Sequence, residues 1–469
     1  MTATQISKLG EATVQDLREA IRGSVVTPDD AAYEAARAVW NGDIDRHPAL
    51  VVRCVGSADV AEAIRFARSE DLDIAVRGGG HNVAGFGTVD GGLVIDLSPM
   101  KGIRVDPMSK RARAQGGVLW GELDHETQAF GLATTGGLVT STGVAGFTLG
   151  GGIGWLMRRH GLAVDNLVGA DLVTAEGELV RADENYNSEL LWGLRGGGGN
   201  FGVVTEFEYA LHEVGPIING GAIMYGAEQA EDLLSFYSEW VVDHPDDLTT
   251  MVVFLTAPPA PFVPAELVGS PMVAVACCHV GDHGEAEESL RPLRDHASAA
   301  VDVVGPMPYL ALQSMFDNAA THGSHNYWKT AYLDSLSTEV IETMVERCEG
   351  LRDLNPHSTF HLHHLGGAVG RVDGSATAFP HRSKPFVLNV IGQWDEGEPR
   401  DDHVRWVQDT WDALQLVGAG DPYLNFLANE TDDDVRAAYG TDTYERLVTL
   451  KNRYDPNNVF HLNQNIKPS

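Results

Sequence analysis

Short apolar runs, broken by glycine and charged turns, set the rhythm of the first half of the chain. LVVRC at 50–54 reads as a buried strand, and Ser57-Ala58-Asp59-Val60 opens a helix whose apolar positions Val60, Ile64 and Ala67 recur at helical spacing. DIAVRGGGHN is then a strand running into a glycine turn, which completes a β-α-β start. GLVIDLS, KGIRVDP and RARAQGG predict three short strands, and GELDHETQAFG predicts a helix with Gly131 as its C-cap. AVDNLVGADLVTAEGELVRA reads as two antiparallel strands joined at Glu176-Gly177, and VVTEFEYALHEV as a further strand reaching about residue 214.

The texture changes after about residue 217. Glycine clusters thin out, and longer helices (EQAEDLLSFYSEWVVDH, TEVIETMVERCEGLRD, DDHVRWVQDTWDALQ) alternate with strands such as MVAVACCHV, TFHLHHLGGAV and FVLNVIGQW. This pattern predicts a first domain over 1–216, a second α+β domain over 217–417, and a C-terminal segment, 418–469, that returns to the first. A chain of 469 residues is longer than one core usually organises, so two domains are the expectation.

Composition narrows the function classes. Acidic residues number 66 and basic ones 33, for a net charge of −33, and only seven of the basic residues are lysine. Nucleic acid and anionic membrane both need a basic footprint, so neither is an expected partner. The acidity is diffuse, as in DEGEPRDDHV and NETDDDVRAA. It reads as the surface of a halophilic protein, with an ordinary acidic enzyme as the alternative. No apolar stretch approaches the ~18 residues of a membrane span. MTATQISKLGEATVQDL has no basic patch followed by an apolar run, so a cytoplasmic protein is expected. Cys54, Cys277, Cys278 and Cys348 fit neither a zinc site nor a disulfide framework.

Three glycine clusters carry the chemistry. The first is Arg77-Gly78-Gly79-Gly80-His81-Asn82, with Gly85 and Gly87 behind it. The second runs from Gly136-Gly137 through Gly143 and Gly146 to Gly150-Gly151-Gly152-Ile153-Gly154, and the third is Arg195-Gly196-Gly197-Gly198-Gly199-Asn200-Phe201-Gly202. Glycine lets backbone approach a ligand and aim consecutive N–H groups at it. Three such turns in about 130 residues imply a long, phosphorylated ligand held in backbone cradles. A Rossmann site does not account for them: GGGIGW lacks the strand-turn-helix context and the acidic residue about 20 positions on.

RGGGHN, the paired-glycine tract, GGGIGWLMRRHGLAVDN, LWGLRGGGGNFGVVTEFE and NRYDPNNVFHLNQNI together resemble the vanillyl-alcohol oxidase superfamily of FAD-linked enzymes. More narrowly they resemble its berberine-bridge-enzyme-like, 6-hydroxynicotine-oxidase-like branch. The resemblance is dense in the first half and the last 20 residues and thin between 217 and 355. It implies a two-domain α+β fold, with a PCMH-type FAD-binding domain and a substrate domain made of an antiparallel sheet covered by helices. It also implies oxidoreductase activity: a hydride passes from a small alcohol, sugar or amine to flavin N5, and O2 or another acceptor takes the electrons.

The same resemblance assigns roles. His81 falls where relatives attach the flavin 8α-methyl, with Gly78, Gly79, Gly80 and Asn82 close to the pyrophosphate and Arg77 and Gly87 flanking. Relatives that attach the flavin twice place a cysteine where this chain has Val139, so a single attachment through His81 is expected. The backbone of Thr140, Ser141 and Gly143 is expected to wrap the pyrophosphate, with Gly137, Gly146 and Gly152 in the same tract. Thr142 falls where relatives gate oxygen access. Asn200, Gly202 and Val204 match the segment cradling adenosine and ribityl, and Asn463, Gln464 and Asn465 match the closing amides near the flavin.

For catalysis, Tyr423-Leu424-Asn425-Phe426 resembles a Y-x-N-Y motif whose first tyrosine serves as base in sugar-oxidising relatives. Tyr423 could act so only if its surroundings depressed a pKa of about 10. Phe426 replaces the second tyrosine, and Asn429 stands where an acid is frequent. Period-two alternation puts His361 and His363 on one strand face and His364 on the other, making the first two candidate substrate contacts or a proton relay. The residue pattern offers these histidines no metal-ligating partner. An amine (C–N) oxidase and a non-catalytic flavin-binding protein stand as alternatives.

Overall fold

The computed structural model describes residues 9–427 and 431–469. Asn429, one of the motif positions, lies outside them. The β-α-β start forms as expected. Strands Leu50–Arg53 and Ile74–Arg77 both lie parallel to Leu93–Asp96, with helix Ser57–Ser69 between the first two. Strands Val203–Ala210, Leu167–Val173, Leu179–Asp183, Arg111–Gln115 and Ile103–Asp106 make a second, five-stranded antiparallel sheet. Gly177 turns its hairpin at φ +74°, a conformation that favours glycine.

Between residues 217 and 394 the strands form one eight-stranded antiparallel sheet. Its two faces follow from side-chain alternation. Phe360, Leu362, Leu388 and Val390 point to one face, where helices Ala230–Trp240, Thr338–Cys348 and Arg400–Leu416 cover them in a single core. On the opposite face Met224, Met251, Val253 and Ala274 pack with Trp155, Leu156, Tyr309 and Leu312. That face therefore looks back toward the glycine turns.

The C-terminal segment packs into the first half. Leu424, Leu427, Tyr439, Leu447, Leu450 and Ile466 share a core with Trp120, Leu172, Phe201 and Phe207. A buried ion pair, Lys451 to Asp455 at 2.7 Å, ties it down. The Lys451 ammonium also donates to the carbonyls of Asn200 and Phe460. Asn200 donates to the Gln464 carbonyl and accepts from Ile466 N–H, so the third glycine turn is stapled to the chain end.

Candidate active site

The glycine turns, the inner face of the large sheet and the C-terminal segment enclose one cavity of about 1090 Å³. That is at or above the upper end of an ordinary small-molecule pocket, ~300–1,000 Å³. Arg77, Gly78, Gly79, Gly80, His81, Asn82, Gly87, Gly137, Thr142, Gly143, Gly146, Gly202, Val204 and Asn463 line it, as do Tyr423, His361 and His363.

Glycine serves two purposes here. A methyl group at Gly79 would lie 2.3 Å from the backbone nitrogen of Gly143, and one at Gly143 would lie 2.3 Å from that of Gly79. These two turns are glycine because their backbones touch. Gly146 and Gly199 differ: both line the cavity, and a methyl at either would have open space around it, meeting no atom of the described residues within 4 Å beyond its own chain neighbours. Nothing in the protein's own packing requires glycine there.

His81 stands at the cavity wall. Its ring stacks on Trp40 with centroids 4.6 Å apart, and its Nε2 lies 2.8 Å from the Ser141 hydroxyl. Burial pulls its pKa down to about 3, with His322 nearby acting in the same direction, so the imidazole is neutral. Arg77 is committed beneath the turn to Asp96 at 3.1 Å, and the Asn82 side chain accepts from Phe86 N–H to fold the loop.

Five expected cofactor residues have other surroundings. The Thr140 N–H and hydroxyl both bind the Asp317 carboxylate, at 2.8 and 2.6 Å, so that N–H is not free for a phosphate. Ser141 presents its side chain to His81 instead of its backbone to the cavity. Gly152 and Asn200 do not line the cavity: Gly152 N–H donates to the Tyr423 hydroxyl at 2.9 Å, and Asn200 is the staple to the chain end. Asn465 also lies off the lining, with its Oδ1 buried and without a partner among the described residues.

Tyr423 is 1 % exposed, and its hydroxyl accepts from Gly152 N–H and from Asn425 Nδ2 at 3.0 Å. The expected depression of its pKa is not found. Burial outweighs those donors and pushes it up to about 12, so the phenol form prevails at neutral pH. With its lone pairs taken by N–H donors, the hydroxyl keeps its proton to donate.

A continuous band of rings joins these groups. Trp40 meets Trp328 at 5.7 Å, Trp328 meets Phe426 at 5.9 Å, and Phe426 touches both Tyr423 (4.9 Å) and His363 (5.8 Å). His361 follows His363 at 6.1 Å and Phe316 at 5.9 Å. Burial lowers the pKa of His361 to about 4 and of His363 to about 3, so both are neutral. His361 holds Thr359 Oγ1 at 3.1 Å, whereas His363 Nε2 is buried without a partner among the described residues. His364 points to the other face, toward Arg158 and Phe386, as alternation requires.

Sequence reasoning missed Trp40, Trp328 and Asn389. Asn389 sits opposite His361 in the strand register, and its buried Oδ1 lacks a partner among the described residues. An amide in the middle of the apolar run FVLNVIGQW was a usable signal. The tryptophans belong to no motif.

The fold and the cavity are those of a flavoprotein oxidoreductase, and comparison with known proteins agrees. A family model described as an FAD binding domain matches residues 48–183, and one described as berberine and berberine like matches 422–467. The (R)-6-hydroxynicotine oxidase of Paenarthrobacter nicotinovorans is 32% identical over 461 residues, covering 96% of this chain and 97% of the relative. The crystal structure of 6-hydroxy-D-nicotine oxidase from Arthrobacter nicotinovorans superimposes with a TM-score of 0.86 at 29% identity, covering 96% and 98% of the two chains. Glucooligosaccharide oxidase from Acremonium strictum shares the fold, with a TM-score of 0.86 at 22% identity, covering 98% and 100%. The chain belongs to the berberine-like family of FAD-linked oxidoreductases and is an enzyme of that class.

The residues present fit FAD. Gly146 and Gly199 leave open space on the glycine-turn side, and Asn463, which lines the same cavity, has a buried Oδ1 without a partner among the described residues. Gly78, Gly79, Gly80, Gly143 and Gly202 would hold the cofactor by backbone, and His81 is in reach of the same space.

Proposed function

We propose that the enzyme takes a hydride from the carbon of a small alcohol, sugar or amine, and that it carries FAD through a single covalent bond at His81. Bound FAD supplies the hydride acceptor. Residues 1–216 bind it in this reading, residues 217–417 bind the substrate, and 418–469 close over the first domain. One observation carries the attachment: His81 is neutral, is fixed by Trp40 and Ser141, and lies at the wall of the cavity with no partner for Nδ1 among the described residues. A neutral imidazole nitrogen keeps the lone pair a nucleophile needs. Val139 also lines the cavity, and its hydrocarbon side chain offers no thiol for a second link.

On the substrate side, Tyr423 donates a hydrogen bond as a neutral phenol. Neutral His361 and His363 orient the substrate without carrying charge into the site. Thr142 faces the same space, and O2 or another acceptor completes turnover. The raised pKa of Tyr423 favours oxidation at an amine carbon over an alcohol. A neutral amine can give up hydride without first losing a hydroxyl proton to a base, and the 32% identical relative is named for a nicotine. Anaerobic mixing with panels of amines, alcohols and sugars tests this. Amines should bleach the oxidised flavin; bleaching by alcohols or sugars alone would reverse the order.

A further inference from the structure

Two supports fix His81: the Trp40 ring stacked on it and the Ser141 hydroxyl 2.8 Å from its Nε2. Neither belongs to the glycine turn that carries His81. Each is held in turn by one stretch of the other half of the chain, which runs from the short turn Asp317–Ala319 into strand His325–Leu333 at the edge of the large sheet. On the Ser141 side the grip is a carboxylate. Asp317 Oδ1 accepts from Thr140 N–H at 2.8 Å and Oδ2 from the Thr140 hydroxyl at 2.6 Å. The Thr140 carbonyl accepts from Gly121 N–H at 3.0 Å, so both backbone groups of the residue before Ser141 are held. Bonds to an ionised acceptor are stronger than neutral ones.

On the Trp40 side the grip is mostly backbone. The Trp40 indole N–H donates to the Ala320 carbonyl at 2.9 Å, and the Trp40 carbonyl accepts from Gly323 N–H at 2.9 Å. Its neighbours follow: Gly42 N–H donates to the Ser324 carbonyl at 3.0 Å, Asn41 Nδ2 donates to the Asn326 carbonyl at 3.0 Å, and Asn41 Oδ1 accepts from Asn326 N–H at 2.9 Å. A methyl at Gly42 would lie 2.1 Å from the Gly323 carbonyl oxygen, so these two backbones touch. Trp40 N–H then donates to the Gly80 carbonyl at 3.0 Å, one residue before His81.

We infer that the stretch 317–326 is a template for flavin attachment: it seats Ser141 and Trp40 against His81, and Asp317 is a positioning residue that acts through Thr140 and Ser141. This rests on the covalent bond read at His81 above and goes beyond it, because attachment then depends on the half of the chain that does not carry the histidine. With Nε2–H donated to the Ser141 hydroxyl, the free lone pair of the imidazole lies on Nδ1. In the attachment step a C–H bond of the flavin 8α-methyl gives way to a C–N bond to that nitrogen. The proton from carbon, the imidazole proton and the C–H electron pair end on the flavin, which is left two-electron reduced; O2 reoxidises it and becomes hydrogen peroxide.

The test follows attachment itself. The full-length chain is produced in riboflavin-starved cells, mixed with FAD in air and precipitated in acid at intervals, and the flavin left on the polypeptide is measured by absorbance. Asp317→Ala should attach flavin about 10-fold or more slowly than wild type, the scale of one lost charge-assisted hydrogen bond. Its non-covalent binding of FAD, read from tryptophan fluorescence, should stay at the wild-type level. Ser141→Ala should slow attachment about 5-fold or more. The double variant should be no slower than the slower single one, because the two residues act in one chain. Wild-type rates in both single variants, or effects that multiply in the double variant, would overturn the inference. Arg382→Lys disturbs the buried ion pair to Asp165 elsewhere between the same two halves and should attach flavin at the wild-type rate. A slowing there as large as that of Asp317→Ala would reduce the stretch to general docking and overturn the inference too. Thr140→Val deletes the hydroxyl and keeps the shape; it carries the test if Asp317→Ala fails to fold, and should slow attachment in the same direction. A wild-type chain that binds FAD and never retains it in acid would instead remove the His81 bond, and the inference with it, whatever the variants do.

Discussion

At Tyr423 two forces oppose each other. Gly152 and Asn425 donate to its oxygen, while a wholly buried setting disfavours the phenolate and wins. In the proposed reading the hydroxyl works as a donor, and losing it should cost about 1–3 kcal/mol, a slowing of about 5- to 150-fold in anaerobic flavin reduction by Tyr423→Phe. The wild-type rate should also show no rise between pH 6 and 9 that disappears in the variant. A pH-dependent step lost in Tyr423→Phe would restore the tyrosine as base. The two kinds of glycine separate just as cleanly. Gly146→Val and Gly199→Val should fold normally and purify with little flavin, because their side chains enter open space. Gly79→Ala should instead lower thermal stability, because its methyl strikes Gly143 backbone. Flavin content near wild type in both valine variants would remove the cradle.

Strand Thr359–His364 carries three histidines whose pKa values are all lowered by burial: His361 to about 4, His363 to about 3 and His364, beside Arg158, to about 2. In the unfolded chain each titrates near 6.5, so below that pH the unfolded state binds more protons and stability falls. Asp124 acts in the opposite sense. Its buried carboxyl is pushed up to about 7, so it costs stability as pH rises from about 4 toward 7. These three imidazoles, together with His160 and His244, which burial also lowers to about 3, outweigh the one raised carboxyl, and the thermal midpoint should drop by several degrees between pH 7 and pH 5; a flat profile would contradict these burials. The alternation of this strand was legible in TFHLHHL, because period two is a property of any strand. Helices such as Arg400–Leu416 were legible for the corresponding reason of 3.6 spacing. Strand Ile217–Gly226 went unannounced because IINGGAIMYG breaks its apolar run with paired glycines. The bond from Thr140 to Asp317 could not be read locally, because the partner lies 177 residues away, and Trp40 was missed because stacking on His81 leaves no trace in local sequence.

Over the whole molecule, a charge of −33 on 469 residues repels itself unless screened. If the acidic, lysine-poor surface is adapted to salt, the thermal midpoint should climb substantially from low to molar potassium chloride, and a flat response would leave an ordinary acidic enzyme. In the proposed reading the flavin would join the two halves of the molecule, with glycine turns and His81 on one side and the histidine strand and Tyr423 on the other. The account therefore stands or falls on how that flavin is held. The direct measurement is to denature the purified enzyme in acid, follow the flavin on the polypeptide, and map it by peptide mass, with His81→Ala alongside. The account predicts that flavin stays with the chain, sits on the peptide containing His81 and on no other, and is released from His81→Ala. Complete release from the wild-type chain, or a flavin-bearing peptide elsewhere, would contradict it.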